Sequence, residues 1–138
     1  SFNSVLTRYL SASPDGSTVA IFGSSGLGAY RVYLVNLETG VMRSDVVGES
    51  YAWSPDGTRV AYSNQNQVYL LDPQTQRSTF IANGHSPVWS PNGASIAYVS
   101  TSNAHTLVLR RLDGGQEVTL VRARRTIGAV AWRPSNRR

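Results

Sequence analysis

Apolar residues along this chain alternate with polar ones over short runs, and clusters of turn residues separate the runs. Residues 59–64 alternate around Val60 and Tyr62, residues 67–71 are apolar-rich, and residues 51–54 and 78–82 form further short stretches. Turns fall between them at Pro-Asp-Gly, at Gln65-Asn66 and at Pro73-Gln74-Thr75. The same plan recurs upstream at residues 8–13, 18–22, 31–37 and 41–47, and downstream at 95–99, 106–112 and 117–121. Nowhere does a 3.6-residue spacing persist over three turns, so every predicted element is a strand.

The turns repeat. Ser13-Pro14-Asp15-Gly16 returns as Ser54-Pro55-Asp56-Gly57 and as Ser90-Pro91-Asn92-Gly93, with a decayed copy at Arg133-Pro134-Ser135-Asn136. Trp53, Trp89 and Trp132 precede three of the four. Proline presets φ at the second turn position, Asp caps local amides, and Gly accepts positive φ. The copies are spaced by 41, 36 and 43 residues. A 36-residue unit accounts for these spacings if units one and three each carry five added residues between their second and third strands. Two more fall late in unit three. Added residues confined to particular joints are what loop variation on a fixed scaffold produces. Four short strands per unit, repeated in tandem, predict an all-β fold made of β-propeller blades. The predicted blades cover about residues 7–48, 49–83 and 84–124, and a surplus first strand covers about 126–133.

Trp53 to Tyr62 with Val68 to Asp72, and Trp89 to Tyr98 with Leu107 to Asp113, resemble the PD40, or WD40-like, repeat of TolB-type β-propellers. A looser copy runs from Ala12 to Ile21 with Val32 to Gly40. The resemblance covers essentially the whole chain. It implies a periplasmic or otherwise extracytoplasmic setting and a protein-binding role. The same repeat also occurs in propeller domains that accompany serine peptidases. Such propellers usually have six or seven blades, and three blades are too few to close a ring. The chain is therefore expected to be part of a larger propeller, half of a six-bladed ring closed by a second copy, or an unclosed or otherwise associated array. The strand at 127–132 calls for a partner, because an exposed apolar strand is a pairing liability.

Composition narrows the chemistry. The 138 residues include no Cys, so thiolate nucleophiles, thiolate metal sites and disulfides are excluded. No apolar run is long enough to span a bilayer, and residues 1–10 lack the features of a secretory signal. All 13 basic residues are Arg, and the net charge is +5. Residues 1–69 carry four Arg against five acids, whereas residues 70–138 carry nine Arg against three. The basic character thus belongs to the second half.

Candidate residues follow. Trp53, Trp89 and Trp132 share one phase and are expected to pack between blades. Phe22, Tyr62 and Tyr98 share another and are expected in the core, with the tyrosine hydroxyls bonded to polar partners. Asp15 and Asp56 are expected to cap turns, since the Asp-x-Asp-x-Asp pattern of a calcium loop is absent. The Gly-Ser-Ser-Gly-Leu-Gly run at 23–28 lacks the Lys-Ser/Thr of a phosphate loop and opens no helix. His85 and His105 stand in no metal-binding spacing, and no Gly-x-Ser-x-Gly elbow singles out a nucleophile. No enzyme activity, metal or cofactor is expected.

In a propeller, the Pro-Asp-Gly turns and the strand-three-to-four turns share one end. The other end gathers the longer connections, at 23–30, 64–67, 100–105, 48–50, 83–86 and 122–126. Binding is expected at this second, loop-rich end, carried by Tyr30, His85, His105, Arg122, Arg124 and Arg125. Guanidinium forks suit an acidic protein partner, which is preferred over a nucleic-acid backbone.

Overall fold

The computed structural model describes residues 6–24, 29–102 and 106–123. Among them, all regular elements are strands, and no helix is long and apolar enough to cross a membrane. A four-stranded antiparallel sheet holds β1 (Leu6–Ala12), β2 (Thr18–Ser24), β3 (Tyr30–Asn36) and β4 (Met42–Val47) in chain order. A seven-stranded sheet holds β5 (Ser50–Trp53), β6 (Val60–Asn64), β7 (Gln67–Asp72), β8 (Arg77–Trp89), β9 (Ser95–Ser100), β10 (Thr106–Arg111) and β11 (Glu117–Arg122), again in chain order. The architecture is an open, partial propeller of three four-stranded groups, with β8 shared by the second and third. The surplus strand expected at 126–133 and Trp132 lie outside the described residues.

One expectation at the element level is corrected. Residues 83–86 were expected to loop between blades, but the chain stays extended throughout β8. Its first part pairs with β7 as far as Asn83, and Gly84 opens the pairing with β9. A bulge between His85 and Val88, with Ser86 at φ 56°, re-aims the strand within this stretch. The handover is possible because residue 84 has no side chain. A Cβ there would run into the ring of Tyr98 and sit 2.5 Å from the Val99 carbonyl oxygen.

The middle blade is buried on both faces, so β6 is buried from Val60 to Ser63 instead of turning one face to solvent as the alternation around Val60 and Tyr62 suggested. Val60, Tyr62 and Leu71 pack against Ala20, Phe22, Val32 and Leu34 of the first blade. On the other side, Ala61 and Leu70 meet Trp89 and Ile96, and Val68 and Ala82 meet Tyr98 and Val108. Successive strand residues point to opposite faces, so one short strand can serve two cores. Phe22, Tyr62 and Tyr98 are all buried, as their shared phase predicts. Tyr62 donates to Ser78 Oγ at 2.8 Å, and Tyr98 donates to Glu117 Oε1 at 3.0 Å. Burial, together with that bond to Glu117, pushes the Tyr98 phenol up to about 12. Trp89 is buried between blades, and its indole N–H donates to the Ala52 carbonyl at 3.0 Å. Trp53 packs against the first core, but its enclosed N–H has no acceptor.

Candidate functional site

Three Ser-Pro-(Asp/Asn)-Gly turns build one end of the molecule, and all three use the same bonds. Ser13, Ser54 and Ser90 are buried. Each serine Oγ accepts the amide five residues on, at 3.0–3.1 Å. Each serine hydroxyl donates to Asp15, Asp56 or Asn92 Oδ1, at 2.6–2.7 Å. The same Oδ1 accepts the amide of Ser17, Thr58 or Ala94 at 3.0 Å. Ser17 and Thr58 add their hydroxyls. The turn glycines Gly16, Gly57 and Gly93 take φ of 71–73°. Hydrogen bonds from Ser13 and then from Ser17 hold the Asp15 carboxyl at about 2, and those from Ser54 and then Thr58 do the same for Asp56. Both aspartates are turn caps, as expected.

Consecutive turns lean on one another. A Cβ on Gly57 would lie 3.3 Å from Pro14 Cδ, and one on Gly93 would lie 3.6 Å from Pro55 Cδ. Small grooves of about 230 and 120 Å³ run between turns one and two and between turns two and three.

A larger cleft of about 590 Å³ opens at the same end, where the second and third blades part. It is built by register. Val60 pairs with Leu71, which sets Arg59 beside Asp72, and Asp72 pairs with Arg77. Directly opposed residues share a face, so these three line up across β6, β7 and β8. Leu70 and Thr79 pair one step further in, on that same face. Leu112 contributes from the third blade, with Ile81 and Thr75 completing the lining. Asp72 lies between the two arginines, yet its Oδ1 accepts the amides of Gln74 and Thr75 at 2.9 and 3.3 Å. Arg110 forms an ion pair with Glu117 at 2.8 Å, and the hydrogen bonds from Ser54 and then Thr58 that hold the Asp56 carboxyl down are reinforced by the Arg59 charge.

Toward the loop-bearing end, backbone bonds tie the described connections together. Gly48 N–H bonds the Tyr30 carbonyl, Glu49 N–H the Ser63 carbonyl, and Gly84 N–H the Asn66 carbonyl. These bonds join the interblade connections to the second-to-third-strand connections. Tyr30, His85 and Arg122 all lie toward this end, on three different strands, β3, β8 and β11. Tyr30 stacks on Phe22, with ring centroids 5.3 Å apart. His85 Nδ1 is 2.9 Å from Ser86 Oγ, and Arg122 is exposed at the end of β11, opposite Thr106. His105, Arg124 and Arg125 lie outside the described residues. Among those described, no three His, Cys, Asp or Glu side chains group as metal ligands do.

Sequence reasoning missed the cleft at the turn end. Arg59 and Arg77 are 18 positions apart, and only the hairpin registers through β7 place them on one face.

The chain matches no family model and no curated protein. Its fold does match solved structures. TolB of Acinetobacter baumannii superposes with a TM-score of 0.69 at 18% identity, over 86% of this chain and 33% of that one. A TolB-type protein of Agrobacterium tumefaciens gives 0.64 at 23% identity, over 83% and 47%. Dipeptidyl peptidase 4 of Porphyromonas gingivalis gives 0.58 at 15%, over 83% and 25%. The chain thus spans less than half the length of each. At such identities the likeness speaks to fold alone, and the fold is that of part of a TolB-like β-propeller.

Proposed function

We propose that the chain is a non-catalytic protein-interaction scaffold whose stack of blades is completed by a second copy of itself. The observation that carries this reading is the contrast between inner and outer blade faces. The faces between blades enclose the three cores, whereas the outer faces of the first and third blades leave some apolar side chains in solvent and bury others, Tyr33, Ala97 and Val99 among them. On the first blade, Leu10 is 61% exposed. It pairs with Ile21 and so points away from the core that holds Ala20 and Phe22. On the third blade, Val118 and Val121 are 55% and 47% exposed. They pair with Leu109 and Leu107, on the face opposite buried Val108. These are the positions at which a further blade would pack. Two copies joined head to tail, twice over, would cover both end faces of each in a closed ring.

Absence of catalysis is part of the proposal. The turn aspartates are committed to their own turns. The likeness to TolB structures supports a setting outside the cytoplasm, which cell fractionation would check. The loop-bearing end offers a docking face through exposed Arg122. A second reading, in which the blades accompany a catalytic domain of a longer protein, draws on the likeness to dipeptidyl peptidase 4.

Light scattering at several concentrations tests the assembly. The chain has a mass of 15.0 kDa, so a paired ring gives roughly 30 kDa. A 15.0 kDa particle with a cooperative melt would overturn closure by a second copy.

A further inference from the structure

We infer that the cleft between the second and third blades, at the turn end, binds an acidic peptide segment that also carries apolar side chains. This names a partner class for the scaffold and rests on that reading.

The cleft combines two chemistries. Its rim carries the Arg59 and Arg77 guanidiniums, and its wall carries Leu70, Ile81 and Leu112. The volume of about 590 Å³ lies in the range of specific ligand clefts. Asp72 on this wall is in no ion pair with Arg59 or Arg77, its Oδ1 accepting the amides of Gln74 and Thr75, and its charge together with that of Asp56 beside Arg59 offsets part of theirs. Two strand spacings separate β6 from β8, so the arginine backbones stand about 10 Å apart. Long side chains reach inward from there, and an extended segment sets alternate side chains roughly 7 Å apart on one face. An acidic–apolar alternation therefore offers carboxylates to both guanidiniums in turn and directs its apolar residues the opposite way, toward Leu112 of the third blade. Arginine favours this pairing because its planar fork takes a carboxylate through two hydrogen bonds. Arg122, exposed on an outermost strand toward the opposite end, lines none of the three clefts described above.

Fluorescence anisotropy of a labelled peptide alternating Glu and Leu, titrated with the full chain, tests the inference. The expected result is saturable binding that weakens with added salt. Arg59→Gln and Arg77→Gln should each weaken it about tenfold or more. Arg77→Lys should retain part of it, and peptides alternating Lys with Leu or Glu with Ser should bind poorly. Thermal melts of each variant confirm that the fold is kept. Equal binding by the wild type and the folded Arg59→Gln/Arg77→Gln double variant overturns the inference. So does no binding by the wild type, or a loss that follows Arg122→Gln instead. A roughly 30 kDa particle that fails to bind overturns this inference alone. A 15.0 kDa monomer that binds overturns ring closure alone.

Discussion

Ser13, Ser54 and Ser90 each sit buried before a proline and hold both strands of a hairpin through one hydroxyl. The turn residues Pro, Asp and Gly are legible because their roles depend on local φ and local amides. The serine is less so, since its acceptor role reaches across to the returning strand. The carboxylates make these turns sensitive to pH in two copies out of three. With Asp15 and Asp56 at about 2 against an ordinary 3.8, the folded turn favours the ionised form. Its contribution is complete above the ordinary carboxyl value and drains away as the pH falls toward 2. Carbon-detected NMR titration should give midpoints of about 2 for both residues. Asp56→Asn should remove one transition and keep the turn folded, because Asn92 already makes the same bonds in the third copy. Midpoints at the ordinary 3.8 would contradict the bonded geometry.

At the scale of elements, the four strands of the middle blade align Tyr51, Tyr62, Tyr69 and Phe80 in one cross-strand row. The Tyr62 and Tyr69 rings stack at 5.3 Å, and Phe80 meets Tyr69 edge-on at 6.0 Å. Cross-strand aromatic pairs of this kind stabilise register. Two glycines mark where one blade hands the chain to the next. Gly48 and Gly84 both lie against the tyrosine of the following blade, Tyr62 and Tyr98. The spaces differ, however. A Cβ at Gly48 would have its nearest neighbours at 3.4 Å, whereas one at Gly84 would clash with a ring and a backbone carbonyl. Urea denaturation should therefore show Gly84→Ala costing about 1–3 kcal/mol or more, and Gly48→Ala under about 1 kcal/mol. Comparable losses would mean that β8 can shift to make room. The existence and order of the strands were readable from alternation and turns. The continuity of β8 was not, because Asn83-Gly84-His85-Ser86 reads locally as a loop.

For the molecule as a whole, the proposed closure rests on apolar side chains left in solvent on the outer faces of the first and third blades. Leu10, Val118 and Val121 are the exposed side chains on which it turns. Val118→Asp with Val121→Asp should leave the blades folded and shift the particle from roughly 30 kDa toward the monomer. These side chains are outside the three cores, so the melt should change little. A variant that keeps the wild-type mass would place the contact elsewhere. The basic excess of the second half reads differently in three dimensions. Arg110 is tied to Glu117, while Arg77 joins Arg59 from the first half at one cleft.

The all-β class, the strand count per unit, the turn chemistry and the shared phase of Phe22, Tyr62 and Tyr98 were determined by the sequence alone. They depend on periods and dihedral preferences that act over a few residues. Tertiary structure decided which side of the middle blade each apolar residue serves, where β8 passes from one ladder to the next, and that Arg59 and Arg77 border one cleft. Those outcomes are set by strand register and by the neighbouring sheet, and such long-range pairings leave no mark on a short window of sequence.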